Sequence, residues 1–374
     1  MIPGHRYAER LDRLAGLLAE RGVDALLVGV GPDLEYLTGY RAMPLERLTM
    51  LVVGAGDRPL LVVPRLERAA AEAELRTEVA IATWDETDDP YAVVLERIPT
   101  GAVALAVSDR LWASHLLRLQ SARPEARWSR ASLVLHALRM VKDADEIELL
   151  RRAAHAADRV VAHISAGRLI GRTEADVARE VRERLLAEGH QEAHFAIVAS
   201  GPNSASPHHE ASDRVIEAGE PIVLDIGGTL EGYGSDITRT LWVTGGDPSL
   251  GPDDEFRRLF ELVREAQAEA ASAARPGVPA ERVDEIARRI IEAGGHGEHF
   301  IHRLGHGIGL EGHEEPYLVA GNLEPLQSGH AFSIEPGIYL EGRFGARIED
   351  IVVCTADGPI VLNEAPRDLY VVDG

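Results

Sequence analysis

The stretch PIVLDIGGTLEGYGSDITRTLWV, residues 221–243, contains two apolar runs of the kind that form β-strands, and an aspartate lies in each run. Asp225 ends the sequence PIVLD, and Asp236 begins the sequence DITRTLWV. Aspartate is depleted in β-strands, and a buried carboxylate without a partner is energetically costly. We therefore expect each of these aspartates to have a specific partner.

Two later runs repeat this pattern. Glu335 interrupts AFSIEPGIYL, and Glu349 interrupts ARIEDIVVC. A single acid of this kind is most simply explained by a buried salt bridge or an edge strand. Four acids in two matching pairs of strands are better explained by a shared partner of high positive charge.

A dinuclear metal centre would satisfy all four carboxylates. Two divalent cations balance their four negative charges, and the neutral imidazole of His306 as a fifth ligand keeps the site near neutrality. Ligands that are mostly oxygen with one nitrogen favour Mn²⁺, with Co²⁺, Fe²⁺ and Zn²⁺ as alternatives. Two such ions about 3.5–4 Å apart lower the pKa of a shared water and polarise a substrate oxygen. We expect a hydrolytic metal site.

The proposed histidine lies in FIHRLGHGIGLEGHEEP, residues 300–316. His302 and His306 have the spacing of a helical zinc site, but three glycines between positions 305 and 309 argue against a helix. Each glycine costs a helix interior about 1 kcal/mol relative to alanine. The stretch is better interpreted as a loop or strand end whose backbone approaches another segment closely.

Composition excludes several classes of partner. The formal charge of −22 disfavours nucleic acid and anionic membranes as partners, because both require a basic face. The N-terminal region contains no uninterrupted apolar segment of signal-peptide type, and no run of 18 apolar residues predicts a membrane span. Cys354 is the only cysteine, which excludes an internal disulfide and predicts a cytoplasmic protein.

Other catalytic architectures lack their motifs. The sequence contains no His-Glu-x-x-His of a zincin, no Glu-x-x-His of a di-iron bundle, no Gly-x-Ser-x-Gly elbow and no phosphate-binding loop. The dinuclear carboxylate site is therefore the hypothesis that the residues favour.

The chain predicts two domains. Residues 5–22 have the leucine spacing of an amphipathic helix, and helical patterns alternate with strand-like runs, which are 25–30, 49–54, 59–64 and 103–108. This alternation predicts a smaller α/β domain over residues 1–132. We expect residues 133–141 to form a linker and residues 142–374 to form the second domain.

The second domain has a pattern that occurs twice. Two helices, at about 142–166 and from Thr173 to about 189, precede the strands with Asp225 and Asp236. Two more, at about 253–274 and from Pro279, precede the strands with Glu335 and Glu349. We expect two similar halves in one α+β domain.

Five motifs resemble those of a known family, the pita-bread metallopeptidases of the creatinase/aminopeptidase fold. They are GPNSASPHH at 201–209, DIGGTLEGYGSDITRT at 225–240, HRLGHGIGLEGHEEP at 302–316, SIEPGIYL at 333–340 and RIED at 347–350. The resemblance is closest to the proline-specific branch of Xaa-Pro dipeptidases (prolidases) and Xaa-Pro aminopeptidases. It implies a pita-bread catalytic domain with pseudo-twofold halves, preceded by a creatinase-type N-terminal domain.

The resemblance also implies roles for individual residues. The implied metal ligands are Asp225, Asp236, His306, Glu335 and Glu349. Glu335 would also serve as the general base, and His208, His302 and His313 would bind substrate and stabilise the transition state. Arg347 would contact the metal ligands or the substrate carboxylate, with Tyr233 as a weaker neighbour of the ligands. For His209, His296 and His299 we expect only structural or surface roles. Gly312 and Ser206 depart from the family pattern without removing a ligand.

The implied activity is hydrolysis of the peptide bond that precedes proline, by a homodimer with two divalent ions per chain. The compact length favours a dipeptidase, and an Xaa-Pro aminopeptidase acting on longer peptides is the alternative. Metal-free creatinases and non-catalytic peptide-binding modules of this fold usually have substituted ligand positions, whereas all five positions are intact here. Methionine aminopeptidases usually lack the N-terminal domain.

Overall fold

The computed structural model describes residues 2–54 and 58–374. The chain divides into two compact units, Met1–Arg139 and Met140–Gly374. The expected linker 133–141 is wrong over most of its length, because a helix, α6, spans Ser132–Arg139 within the first unit. The sequence SLVLHALR places Val134, Leu135 and Leu138 on one buried face. An apolar face of this kind packs against the rest of a domain, whereas a linker is usually polar and exposed.

The first unit is an α/β unit around one mixed sheet. Before α6 its helices and strands, in chain order, are α1 Gly4–Arg21, β1 Ala25–Val28, α2 Pro32–Thr38, β2 Met50–Gly54, β3 Leu60–Pro64, α3 Arg68–Glu74, β4 Ala80–Trp84, α4 Pro90–Arg97, β5 Ala104–Val107, α5 Ala113–Ala122 and β6 Arg127–Arg130. The strand order is β4-β3-β2-β1-β5-β6. The predicted helix and the four predicted strands are confirmed, with slightly shorter bounds.

Two strands of this sheet were not predicted. They are the edge strands β4 and β6, and β6 has the sequence RWSR, with little apolar character. An edge strand with polar residues gives no apolar run, so its position depends on pairing with β5 rather than on its own pattern.

The second unit contains the repeated pattern of helices and strands. Its elements are α7 Ala144–Ala166, α8 Glu174–Ala187, β7 Glu192–Ser200, β8 Glu220–Leu230, β9 Tyr233–Val243, α9 Asp254–Ala273, α10 Ala280–Ala293, β10 Gly305–Gly307, β11 Glu314–Leu318, β12 Ala331–Ile334, β13 Gly337–Leu340, β14 Phe344–Arg347, β15 Asp350–Val353, β16 Ile360–Val361 and β17 Tyr370–Val372. Each pair of helices, α7 with α8 and α9 with α10, precedes a group of strands, as predicted.

The strands of the second unit form separate sheets that meet near the predicted site. One sheet has the order β17-β9-β8-β7, a second has the order β11-β10-β12-β15-β16, and β13 and β14 form a hairpin. One apolar core packs α7 and α8 on the first sheet, and another packs α9 and α10 on the second. A bridge between Thr238 and Glu349 joins β9 to the segment before β15. The predicted α+β class is confirmed.

The two C-terminal acids lie between strands rather than within them. AFSIEPGIYL is divided into β12 and β13 at Glu335, and ARIEDIVVC is divided into β14 and β15 at Glu349. Pro336 contributes to the first break, because proline cannot donate a ladder hydrogen bond. The expectation of two continuous strands here was wrong, whereas Asp225 and Asp236 do lie within β8 and β9.

Among the described residues, no helix is both long and apolar enough to cross a bilayer.

Candidate metal centre

Strands β8 and β9 present their aspartates on one face of the first sheet. The two strands are antiparallel, with Asp225 opposite Thr238 and Gly227 opposite Asp236. Directly opposite residues share a face, and so do residues two positions apart on one strand. Asp225, Asp236 and Thr238 therefore point to the same side, and both aspartates are buried.

Strand β10 brings His306 to these acids through a close approach of backbones. A side-chain Cβ on Gly305 would lie 1.9 Å from the carbonyl oxygen of Ser333, and one on Gly307 would lie 2.2 Å from that of Glu315. Only glycine permits this contact with β12 and β11. The predicted close approach is confirmed, and the alternative of a helical zinc site is wrong, since the segment is a strand.

The His306 ring is oriented as a metal ligand would be. Its Nδ1 lies 3.1 Å from the carbonyl oxygen of Gly307, which fits a proton on Nδ1. Its Nε2 lies 3.6 Å from Asp236 Oδ2 and 3.4 Å from Glu335 Oε1. Burial and the neighbouring His313 lower the pKa of His306 to about 3, so that the ring is neutral at pH 7. A neutral imidazole with Nδ1–H donating to a carbonyl has its Nε2 lone pair available.

All five predicted ligands line one cavity of about 560 Å³. One ligand-type atom from each of Asp236, His306 and Glu349 lies within 4.8 Å of the other two. Asp225 and Glu335 line the same cavity. The structure thus brings together residues from four segments that are up to 124 positions apart, counting from 225 to 349.

The four carboxylates repel one another in this cavity. Burial, followed by repulsion from neighbouring acids, raises the pKa values of Asp236 and Glu349 well above their usual range. Burial raises the pKa of Glu335 to about 7, with Asp225 adding to the shift and Arg347 opposing it. An ionised cluster of this kind requires additional positive charge nearby.

Few protein donors are available to these acids. Thr238 donates to Glu349 at 2.8 Å, and Ser333 donates weakly to Glu335 at 3.3 Å. Asp225 Oδ1 is buried and has no hydrogen-bond partner in the described part of the chain. The open carboxylate oxygens together with one neutral imidazole nitrogen fit divalent cations as the missing partners.

Arg347 donates to one of the acids, Asp225, and to several other neighbours. It donates from Nη2 to Asp225 Oδ2 at 2.5 Å and from Nη1 to the Tyr339 hydroxyl at 2.8 Å. It also donates from Nε to Thr238 Oγ1 at 3.1 Å and from Nη1 to the carbonyl oxygen of Pro207 at 3.3 Å. Its side chain is only 3% exposed. Of its two predicted roles, the structure shows contact with the candidate ligand Asp225.

The three predicted substrate-binding histidines line the same cavity. The His313 ring packs on His306 with centroids 3.9 Å apart, and its Nδ1 accepts from Arg303 Nη2 at 3.2 Å. Burial, followed by the charge of Arg303, lowers the pKa of His313. Burial lowers the pKa of His302 to about 4, and its Nε2 lies 2.9 Å from the Tyr339 hydroxyl. His302 and His306 are therefore neutral at pH 7.

Tyr233 does not join this group, so the weaker prediction for it is wrong. It lies three positions before Asp236 on β9 and therefore faces the other side of the sheet. Its hydroxyl donates to Glu146 at 3.0 Å, and Tyr233 is absent from the cavity lining.

The histidines for which we expected structural roles lie outside the cavity lining. His209 contacts Glu174 Oε2 through Nε2 at 2.7 Å. His296 and His299 contact each other, with ring centroids 5.9 Å apart.

Four further residues line the cavity and were not predicted, namely Phe195, Ile197, Pro207 and Arg303. Phe195 and Ile197 are alternate residues of β7 and so share a face, which is the sequence signal that could have identified them. Arg303 lies within a motif that was recognised, between His302 and Leu304, but nothing in the motif indicates where its long side chain points.

Comparison with known proteins agrees with this geometry. Residues 148–356 match the model of metallopeptidase family M24, and residues 10–141 match that of the creatinase/prolidase N-terminal domain. A probable dipeptidase PepE of Mycobacterium tuberculosis is 47% identical over 370 residues, which are 98% of this chain and 96% of that protein. An Xaa-Pro dipeptidase of Pyrococcus furiosus is 34% identical over 362 residues, covering 96% of this chain and 99% of that protein.

The fold agrees as closely as the sequence. The crystal structure of dipeptidase PepE from Mycobacterium ulcerans superposes with a TM-score of 0.92 at 45% identity, covering 99% of each chain. The match to family M24 spans all five residues of the candidate centre, which are four acids and one histidine. The chain belongs to metallopeptidase family M24, with an N-terminal domain of the creatinase/prolidase type.

Proposed function

We propose that the protein is a dinuclear-metal peptidase that hydrolyses Xaa-Pro dipeptides. The observation that carries this proposal is the convergence of four under-partnered carboxylates and one neutral imidazole in a single cavity. The relatives named as dipeptidases and Xaa-Pro dipeptidases, which match over nearly the whole chain, support the choice of substrate.

The residues that would hold the metals are Asp225, Asp236, His306, Glu335 and Glu349. We propose two divalent ions per chain with Mn²⁺ preferred, because oxygen donors dominate this set, and with Co²⁺, Zn²⁺ or Fe²⁺ as alternatives. Bound there, the ions supply a nucleophilic water and a Lewis acid for the scissile carbonyl.

Glu335 is the acid best placed to move a proton. Its side chain is 16% exposed, compared with 11% for Asp225 and 5% for Asp236, so it faces the cavity more than they do. Glu335 would accept the proton of the attacking water and pass it to the leaving nitrogen.

His313 would act as a hydrogen-bond donor to the substrate. His313 accepts a hydrogen bond at Nδ1 and so carries its proton on Nε2. An N–H in that position can stabilise negative charge that develops on the substrate carbonyl oxygen. His208 and His302 line the same cavity and would orient the peptide.

The unpredicted apolar residues would accommodate the proline ring. Phe195, Ile197 and Pro207 supply the apolar part of the lining. The nitrogen of an Xaa-Pro bond carries no hydrogen, so its binding site needs apolar walls rather than an acceptor for an N–H.

The direct test compares two substrates on one preparation. Protein stripped with a chelator and reloaded with Mn²⁺ should hydrolyse an Xaa-Pro dipeptide, and metal-free protein should not. Efficient cleavage of an Xaa-Pro-Yaa tripeptide would instead assign an aminopeptidase. If reloading restores neither activity, the peptidase proposal is wrong.

We also propose a cytoplasmic homodimer. The buried, single Cys354 fits a reducing compartment, and the homodimer follows from the family resemblance. Light scattering coupled to gel filtration measures the assembly: a mass of one chain, rather than two chains of 40.6 kDa, would exclude the dimer.

A further inference from the structure

Two arginines line the cavity, and they differ in what they can still bind. Arg347 uses Nε, Nη1 and Nη2 in hydrogen bonds to protein atoms and is almost completely buried. Arg347 donates four hydrogen bonds and has five N–H groups, so a carboxylate could bind it through two N–H groups only by displacing one of those contacts. The predicted role of Arg347 as the substrate-carboxylate contact therefore has little support from this geometry.

Arg303 has the opposite character. It is partly exposed, and within the described part of the chain it forms no ion pair with any acid. Its one side-chain hydrogen bond there runs from Nη2 to His313 Nδ1 at 3.2 Å. Nε and Nη1 remain available for a ligand, and a guanidinium offers them in the fork geometry that matches a carboxylate.

The Arg303 side chain is also held in place. Its guanidinium lies over the Tyr317 ring at 4.3 Å from the centroid. The hydrogen bond to His313 fixes its other edge. A cation held between an aromatic face and an imidazole loses little further freedom when an anion binds.

The position of Arg303 relative to the candidate metal ligands suits a dipeptide. The His313 ring packs on His306, and Arg303 donates to Nδ1 of the same His313 ring. Arg303 and the candidate ligand His306 therefore both contact the His313 ring. In a dipeptide the terminal carboxylate lies one residue past the scissile bond, roughly 3.5 Å along an extended chain.

We propose that Arg303 binds the C-terminal carboxylate of the substrate and thereby determines the preference for dipeptides. This inference rests on the proposed peptidase function. In a tripeptide the same position holds a neutral amide, so the charge-assisted hydrogen bonds are lost and only a weaker contact remains. Arg303 would thus select dipeptides over longer peptides through the negative charge of the substrate's C-terminal carboxylate.

Arg303→Met tests the proposal, because it keeps an apolar side chain beside Tyr317 and removes the guanidinium. The Mn²⁺-loaded enzymes are assayed on Ala-Pro, on Ala-Pro amide and on Ala-Pro-Ala. We expect kcat/KM for Ala-Pro to fall roughly 10- to 100-fold, mostly through KM. The value for the amide should change by less than about threefold, and Arg303→Lys should restore part of the preference.

The ratio of acid to amide separates recognition from a structural role. An equal loss on both substrates would mean that Arg303 acts only through His313 or the fold, and no loss on either substrate would mean that another group binds the carboxylate. Either result overturns the proposal. Arg264→Met, which removes an arginine paired with Glu261 on α9, is the matched surface control and should leave the ratio unchanged.

A binding measurement keeps this proposal distinct from the peptidase function. Calorimetry on metal-free protein compares Ala-Pro with Ala-Pro amide, without any turnover. If the wild type binds the acid more tightly and Arg303→Met does not, the assignment of Arg303 holds even when the loaded enzyme hydrolyses neither substrate. If the wild type binds both equally, the assignment fails even when hydrolysis is fast.

Discussion

Glu174 and the acids of the cavity are both buried, but their surroundings are opposite. Glu174 is the first residue of helix α8 and is 0% exposed. Both oxygens of its carboxylate accept several hydrogen bonds. Its donors are Ser200 N at 2.8 Å, Ser200 Oγ at 2.7 Å, Asn203 Nδ2 at 3.0 Å, His209 Nε2 at 2.7 Å, Ser212 N at 3.1 Å and Ser212 Oγ at 2.6 Å. Burial raises the pKa of Glu174, but these bonds outweigh it and lower the pKa to about 2.

The cavity acids lack such donors, and burial with mutual repulsion raises the pKa values of Asp236 and Glu349. The comparison distinguishes two uses of a buried carboxylate. Glu174 is satisfied by the protein, and its donors tie the loop that carries Pro207 and His208 to the start of α8. The cavity acids leave oxygens open, which suits a ligand that the protein itself does not supply.

The largest expected effect follows from removing a cavity acid. Asp236→Ala should lower the Mn²⁺-dependent kcat/KM by about 10³-fold or more, about 4 kcal/mol of transition-state stabilisation, because a ligand is lost. Steady-state hydrolysis of an Xaa-Pro dipeptide measures it. Activity close to wild type would remove Asp236 from the metal site.

Removing Glu174 should instead cost stability. Glu174→Gln replaces a carboxylate surrounded by donors with an amide that is itself partly a donor, so we expect about 3 kcal/mol less stability at pH 7. Urea unfolding at neutral pH measures the difference. Glu188→Gln, which removes an acid paired only with Arg159 among the described residues, is the control and should cost less than about 1 kcal/mol. A loss below 1 kcal/mol for Glu174→Gln would show that the hydrogen bonds to Glu174 do not stabilise the fold as proposed.

The stability that Glu174 contributes should depend on pH in a defined window. Its pKa falls from 4.5 to about 2 on folding, so the contribution is complete above pH 4.5 and is lost as pH falls toward 2. The difference between wild type and Glu174→Gln should therefore shrink across that window. A difference that is constant from pH 5 to pH 2 would show that the carboxylate charge is not the cause.

The smallest effect has the opposite sign. In metal-free protein Asp236→Asn removes one charge from the repelling acids, so it should raise stability by roughly 1 kcal/mol, with a higher Tm in chelator. Differential scanning calorimetry of both proteins without metal tests this. A lower Tm for Asp236→Asn would mean that Asp236, like Glu174, is satisfied by the protein alone.

Much of the architecture could be predicted from apolar patterns. The runs that became β1, β2, β3 and β5 are continuous and apolar. The helix pairs predicted before each group of strands are present as well. The edge strand β6 and the breaks at Glu335 and Glu349 could not be predicted in this way. They depend on which other strand each segment pairs with.

The candidate metal centre was likewise predictable only in part. The acids attracted attention because carboxylates are rare in apolar strands, and the structure brings all four to one cavity with His306. Glu174 gave no such signal, because its donors lie 26 to 38 positions away and each is an ordinary polar residue. The direction of a long side chain such as Arg303 depends on Tyr317, which is a tertiary contact.

Metal content is the measurement that tests the central claim most directly. Wild type, Asp236→Asn and Glu174→Gln are stripped with chelator, reloaded with Mn²⁺, desalted and analysed by mass spectrometry of the metal. We expect two ions per chain in the wild type and in folded Glu174→Gln, and at most one in Asp236→Asn. Fewer than one ion per wild-type chain, or two ions in Asp236→Asn, would contradict it.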